Sequence, residues 1–367
     1  MSKISIIYGT NVMEMTCTLL RESASAKQWE LERLIAGMNV VIKPNLVVAK
    51  PAAEGAVTHP EIVEGIVLFL KENSISSITI AEGSWLGEMT PRAFDRCGYQ
   101  TLAKKYGIKL LDTKNDKVIK KTVGGLTLGV CGTVLNADFL INVPVLKGHC
   151  QTTMTCCLKN MKGCIPDSEK RCYHNIGLHK PIAALNTVLK PHLHVIDNIC
   201  GDPTFEEGGN PNQTDRILLG TDPVLLDSYG AALLGHDPMK IEYLQIAKSL
   251  GIGSFFDAST EICELQKEKR PQTRMTNQSG LVRRFARNID ERNACSACYG
   301  ALICALRQHS SMQSKDGGLD VGKIKIGQAF RTQKCAGFGV GNCCSGCDHY
   351  VPGCPPTASQ ILAMLHM

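Results

Sequence analysis

Short apolar runs alternate with amphipathic stretches through the first two-thirds of the chain. Residues 3–9 (KISIIYG) make one compact apolar run, and 38–47 (MNVVIKPNLV) make a second that ends in Lys43-Pro44-Asn45. Runs this short and this β-branched predict buried strands. Residues 58–74 predict a helix. Thr58 or His59 can cap it, Pro60 suits its first turn, and Ile62, Val63, Ile66, Phe69 and Leu70 share one face. Residues 76–84 return to a strand that ends in Ala81-Glu82-Gly83-Ser84. Strand, helix, strand is the unit of a parallel sheet with right-handed crossovers. Further strands are predicted over 137–148 and 192–198, and strand, turn, helix over 215–235. The predicted fold class is therefore α/β, a mainly parallel sheet with flanking helices, over residues 1–265.

The pattern changes after that. A polar, basic connection is predicted over 266–284, then a small Cys-rich module over 285–367. In the module only 301–308 (ALICALRQ) and the closing helix 357–365 (TASQILAML) are apolar in a regular way. A module with so little apolar surface needs a staple.

Composition narrows the function. The chain has 367 residues, 44% hydrophobic and 20% charged, so a sizeable core is expected and wholesale disorder is excluded. The net charge of +6 with 5% aromatics, and no basic block beyond Arg283-Arg284, argues against a nucleic-acid partner. No apolar run reaches the roughly 18 residues of a membrane span. The N-terminus lacks a secretory pattern, so a cytoplasmic location is expected.

The 18 cysteines change the picture most. Without a secretory pattern a disulfide scaffold is not expected, and reduced thiols are available for metal. Eight of them lie between Cys295 and Cys354. Cys295-Ser296-Ala297-Cys298 can present two sulfurs to one centre from one backbone turn. At the other end Cys354 stands between Gly353 and Pro355. A tetra-thiolate site needs one more sulfur. Cys343 is the choice, because Gly339 and Gly341 before it free the backbone to turn; Cys335, Cys344 and Cys347 compete. The expected cofactor is an iron–sulfur cluster on Cys295, Cys298, Cys343 and Cys354. A structural zinc site is the alternative. It would use Cys344-Ser345-Gly346-Cys347 as a second knuckle.

Several predicted strands end in polar residues: Asn45, Glu82, Lys147 and Asp197. In parallel sheets, sites gather at the carboxyl ends of strands. Lys147, His149, Lys159 and His174 offer acid–base and anion-holding groups near one such end, and Asn45, Glu82, Asn160 and Asp197 offer polar contacts to a small anionic or carbonyl substrate. The acidic, Gly-rich stretch 201–209 either lines the pocket mouth or is a solvated loop. Asp222 is expected to cap the helix that follows it.

Three resemblances follow from these residues and their layout. The segment Tyr350-Val351-Pro352-Gly353-Cys354-Pro355-Pro356-Thr357 resembles the last cluster-ligand segment in the small subunits of nickel–iron hydrogenase and NADH-quinone oxidoreductase, which implies a [4Fe-4S] site. The residues Lys43-Pro44-Asn45, His59-Pro60, Ala81-Glu82-Gly83, Asp138, Asn142-Val143-Pro144, Lys147-Gly148-His149, Lys159-Asn160-Met161-Lys162-Gly163, Asp197 and Asp222-Pro223-Val224-Leu225-Leu226-Asp227 resemble the family called domain of unknown function 362. Its iron–sulfur-bearing members come from anaerobes and archaea. In layout the chain is also similar to the lactate racemase family, although no Asp-x-Thr-Arg signature stands near the N-terminus. The predicted function is an iron–sulfur oxidoreductase that passes low-potential electrons between the cluster and a substrate at the strand ends, with a ferredoxin-like redox partner. The alternatives are a non-catalytic electron-transfer protein, or a racemase-like isomerase with a structural cluster.

Overall fold

A computed structural model describes residues 3–271, 285–312 and 323–366. Most of the predicted connection, 272–284, and Arg283-Arg284 with it, lies outside the described residues. The chain forms two compact units. The first comprises 1–84, 88–169 and 179–277. The second comprises 85–87, 170–178 and 278–367.

The first unit is built on an eight-stranded sheet. Across it run Glu261–Leu265, Lys3–Tyr8, Asn212–Gly220, Leu193–Gly201, Phe139–Val143, Val40–Pro44, Ile78–Glu82 and Lys109–Asp112. Asn212–Gly220 is antiparallel to both its neighbours; the other pairings are parallel. The central strands Val40–Pro44 and Phe139–Val143 are buried at every position. Their continuous apolar runs suit a sheet covered on both faces. The helix Pro60–Glu72 starts where the sequence places it and buries Ile62, Val63, Ile66, Phe69 and Leu70. Asp222 caps Pro223–Leu233, accepting from the N–H groups of Val224 and Leu225 at 2.8 and 2.9 Å.

Two expectations are refined here. The apolar run 137–148 is not one strand. It breaks at Pro144, which has no N–H for a ladder, and resumes as the strand Lys147–His149, paired with Thr153–Thr155 in a hairpin. The stretch 201–209 is not a solvated loop: Asp202, Thr204, Phe205 and Glu206 are buried. Asp202 holds it shut by accepting from the N–H groups of Thr204, Phe205 and Asn210.

The second unit carries a four-stranded parallel sheet, Ile289–Glu291, Ile324–Ile326, Cys335–Val340 and Cys347–Val351. Strands of three to six residues leave little periodic signal, which is why the sequence pattern does not reveal them. The helix Ser296–Met312 contains the apolar run 301–308. The helix Ala358–Leu365 closes the chain with a Thr357/Gln360 capping box. Among the described residues no helix is long and apolar enough to cross a membrane.

The cap at Asp222 is testable. Asp222→Ala should cost about 1 kcal/mol of stability, read as a lower urea midpoint. An unchanged midpoint would mean the cap contributes nothing.

Candidate functional site

In the first unit, polar side chains from three strand ends and two loops meet below the surface. Lys43 Nζ donates to Glu82 Oε2 at 2.8 Å, to its neighbour Pro44 O at 2.6 Å and to Asn160 Oδ1 at 3.4 Å. Glu82 also accepts from the N–H groups of Leu46 and Gly83. Asn45 Nδ2 donates to Asn160 Oδ1 at 2.9 Å, and Asn160 Nδ2 donates to Asn142 Oδ1 at 2.7 Å. Gly163 is where this packing is tightest. A Cβ there would lie 2.2 Å from Glu82 Oε1 and 2.6 Å from Lys43 Nζ.

Lys147 is fully buried and uses three acceptors: Asn45 Oδ1 at 3.1 Å, Ala56 O at 2.5 Å and Glu206 O at 2.9 Å. An ammonium has three donors, so all of them are taken. Gly148 beside it packs against the buried loop, where a Cβ would lie 2.2 Å from Pro203 O. The Lys-Gly-His run is therefore read physically: a buried cation, a close backbone approach, then the next polar side chain.

Glu206 organises the rest. Its Oε1 accepts from Lys159 Nζ at 2.6 Å, and its Oε2 lies 2.9 Å from His149 Nε2. His149 Nδ1 accepts from the N–H groups of Gln151 and Thr152, both at 3.1 Å. That fixes the tautomer: Nε2 carries the proton and faces Glu206, off the ideal hydrogen-bond direction. Among the described residues Glu206 is the one hydrogen-bond partner of Lys159, which leaves two N–H donors to offer.

Burial governs the protonation of these groups. It pushes His149 down to about 4, helped by the Lys159 charge and opposed by Glu206. It pushes Lys147 down to about 7. Burial alone would raise the Glu206 carboxyl, but Lys159 and then His149 overcome it and hold the group well below the usual carboxylate range.

Asp197 takes a different partner. Its Oδ2 accepts from His59 N and lies 2.8 Å from His59 Nδ1. Burial pulls His59 down, yet the adjacent Asp197 carboxylate wins and raises it to about 11. His174 is a buried residue of the second unit, on the helix Asp167–Asn175. Glu206 and His59 were not among the site residues expected from sequence. The signal for Glu206 was its acidic, Gly-rich loop, which reads equally well as a solvated turn.

In the second unit, Cys295, Cys298, Cys343 and Cys354 line one small cavity of about 20 Å³, with Arg171, Gln328 and Arg331. Local structure explains the gathering. Cys295 and Cys298 sit at the start of the helix Ser296–Met312, where burial, and then the neighbouring sulfurs, push the Cys298 thiol up. Gly341 N donates to Val351 O, Asn342 N to Gly353 O, and Gly353 N to Asn342 Oδ1 at 2.7 Å. These bonds tie the Cys343 turn to the Cys354 turn. Arg331 Nε donates to Cys343 Sγ at 3.3 Å, and Gln328 Nε2 donates to Cys295 Sγ at 3.7 Å.

The competing thiols lie elsewhere. Cys335 and Cys347 face each other with their sulfurs 2.6 Å apart. They pack with Cys344 and Phe330. Among the described residues the one trio of metal-ligating atoms within 4.8 Å of each other is Cys156, Cys157 and Asp227. Asp227 there accepts from the N–H groups of Cys157 and Leu158, capping a short helix. The four cavity thiols are spread more widely than that.

Fold and site together define an α/β protein with a parallel sheet and a buried Lys–Glu–His network, joined in sequence to a thiol-rich unit. Residues 40–232 match the family described as Domain of unknown function (DUF362), and the chain belongs to that family. The match ends before residues 295–354, which carry eight of the cysteines. The chain is 24% identical over 226 residues to the thylakoid-associated protein sll1697 of Synechocystis sp., an alignment covering 59% of this chain and 69% of that protein. Among solved structures it is similar to the lactate racemase apoprotein from Thermoanaerobacterium thermosaccharolyticum. That likeness has 12% identity and a TM-score of 0.38, and covers 67% of this chain and 56% of the other. At that score it carries no argument.

The ion network predicts acid sensitivity. His149 titrates near 4 when folded and near its ordinary value of about 6.5 when unfolded. Between those values the unfolded chain binds the extra proton, so stability should fall as pH drops from about 6.5 to about 4. His149→Asn should flatten the urea midpoint against pH in that window. An unchanged slope would contradict the assignment.

Proposed function

We propose that this protein is an iron–sulfur redox protein, with a [4Fe-4S] cluster held by Cys295, Cys298, Cys343 and Cys354. One observation carries the reading: four thiols line one cavity, and no three of them lie within 4.8 Å of one another. Zinc bound at about 2.3 Å brings its sulfurs to roughly 3.8 Å from one another. A four-iron cube spreads its thiolates farther, because each binds a different iron. The donor set fits as well. Four sulfurs, the guanidinium of Arg331 and the amide of Gln328 suit an anionic cluster whose sulfurs accept hydrogen bonds. Such a cluster supplies single low-potential electrons.

In this reading the first unit binds the substrate. Lys159 offers its two remaining N–H donors, and His149 holds a proton at Nε2 beside Glu206. One ammonium against one carboxylate leaves no net charge. That suits a carbonyl oxygen, or a single carboxylate, better than a polyanion. Lys147, with every donor taken, positions the Glu206 loop, while Asn45, Asn160 and Glu82 hold the floor beneath it. A ferredoxin-like protein is the proposed redox partner, and the cytoplasm the proposed location.

A second reading has its own support. Lys43 and Lys147 are fully satisfied inside the protein, as expected of a structural ion network in a non-catalytic electron carrier.

Metal content after anaerobic purification tests the proposal. The native protein should hold about four irons and matching sulfide per chain. Cys343→Ser should lose most of this iron, whereas Cys335→Ser should keep it. Stoichiometric zinc, or equal iron in both variants, would contradict the ligand set.

A further inference from the structure

We propose that Cys335 and Cys347 form a dithiol–disulfide couple, a two-electron site of the second unit that reacts with small or protein disulfides. It goes beyond the cluster reading and does not depend on it.

The two residues are direct partners on neighbouring parallel strands, Cys335–Val340 and Cys347–Val351. Strands lie about 4.8 Å apart, and disulfides bridge Cα atoms roughly 4.4–6.8 Å apart. Backbone geometry therefore permits the bond without moving either strand. The side chains already point at one another, with sulfurs 2.6 Å apart, well inside ordinary contact. The surroundings make room for them. A Cβ on Gly339 would lie 2.9 Å from Cys347 Sγ and 2.6 Å from Cys344 Cβ, so only glycine leaves the sulfurs their place. Cys344, the other nearby thiol, donates to Lys325 O at 3.4 Å and is committed to packing.

The two sulfurs differ in access. Cys335 is half-buried, while Cys347 is buried against Phe330 and Cys344. Burial, and then Cys335 beside it, push the Cys347 thiol up to about 12. Cys335 is thus the entry point and Cys347 the resolving thiol. The Cys335 thiolate attacks one sulfur of the incoming disulfide and releases the other as a thiol. Cys347 then attacks Cys335 Sγ, passes its proton to the second leaving sulfur, and closes the Cys335–Cys347 bond. One disulfide is consumed, two thiols are produced, and a dithiol reverses the exchange.

The test uses the full chain purified anaerobically. It is exposed to oxidised glutathione, quenched with iodoacetamide and digested with chymotrypsin. Cleavage after Phe338 separates Cys335 from Cys347. The expected product is the Cys335 peptide disulfide-linked to the peptide holding Cys347, released by dithiothreitol, with iron content unchanged. In Cys347→Ser, Cys335 should instead carry glutathione, while in Cys344→Ser the linkage should persist. Full alkylation of Cys335 in the native protein under excess oxidised glutathione would overturn the proposal. So would a linkage that survives Cys347→Ser, or oxidation that strips the iron. Absence of iron alongside the expected linkage would count against the cluster reading and leave the couple standing.

Discussion

Charge taken out of water must be answered inside the protein, and that constraint shapes both units. Removing one partner of a buried ion pair costs about 3–5 kcal/mol, because the other charge is left stranded. The first unit meets the cost with Glu82 against Lys43 and Glu206 against Lys159, and with three oxygens around Lys147. These pairs join residues far apart in sequence, such as Lys43 and Asn160 or Lys159 and Glu206. The polar centre therefore forms only when the sheet and the 201–209 loop are both in place. In the second unit the same constraint applies to sulfur. The thiols collected round one cavity are met there by hydrogen-bond donors, Arg331 at Cys343 and Gln328 at Cys295.

Much of this was readable from sequence because its determinants are local. Apolar runs of five or six residues gave the central strands, and the Asp222 cap followed from an Asp before Pro and an apolar helix. The motif residues Lys43, Asn45, Glu82, Lys147 and Asn160 do converge. Their roles were less accessible. Whether a lysine offers its donors or spends them depends on acceptors such as Ala56 O and Glu206 O, which no spacing reveals. Glu206 itself stood in a stretch rich in glycine and acid, a composition that describes exposed turns and tightly packed loops alike.

The cysteines show the same division. The Cys-x2-Cys pair and the Gly-Cys-Pro segment have short-range signatures. The choice among Cys335, Cys343, Cys344 and Cys347 rests on which turn is tied to which. The bonds that tie Gly341 and Asn342 to Val351 and Gly353 bring Cys343 to the cavity. The strand pairing takes Cys335 to Cys347 instead. Sequence separation could not decide between them, because only three residues stand between Cys343 and Cys347 while the strand ladder divides their environments.

Electron paramagnetic resonance of the anaerobically purified protein after reduction with dithionite tests the central claim most directly. The account predicts the signal of a reduced four-iron cluster, present in the native chain and lost in Cys298→Ser. A spectroscopically silent, colourless protein that is folded and carries zinc in place of iron would contradict it.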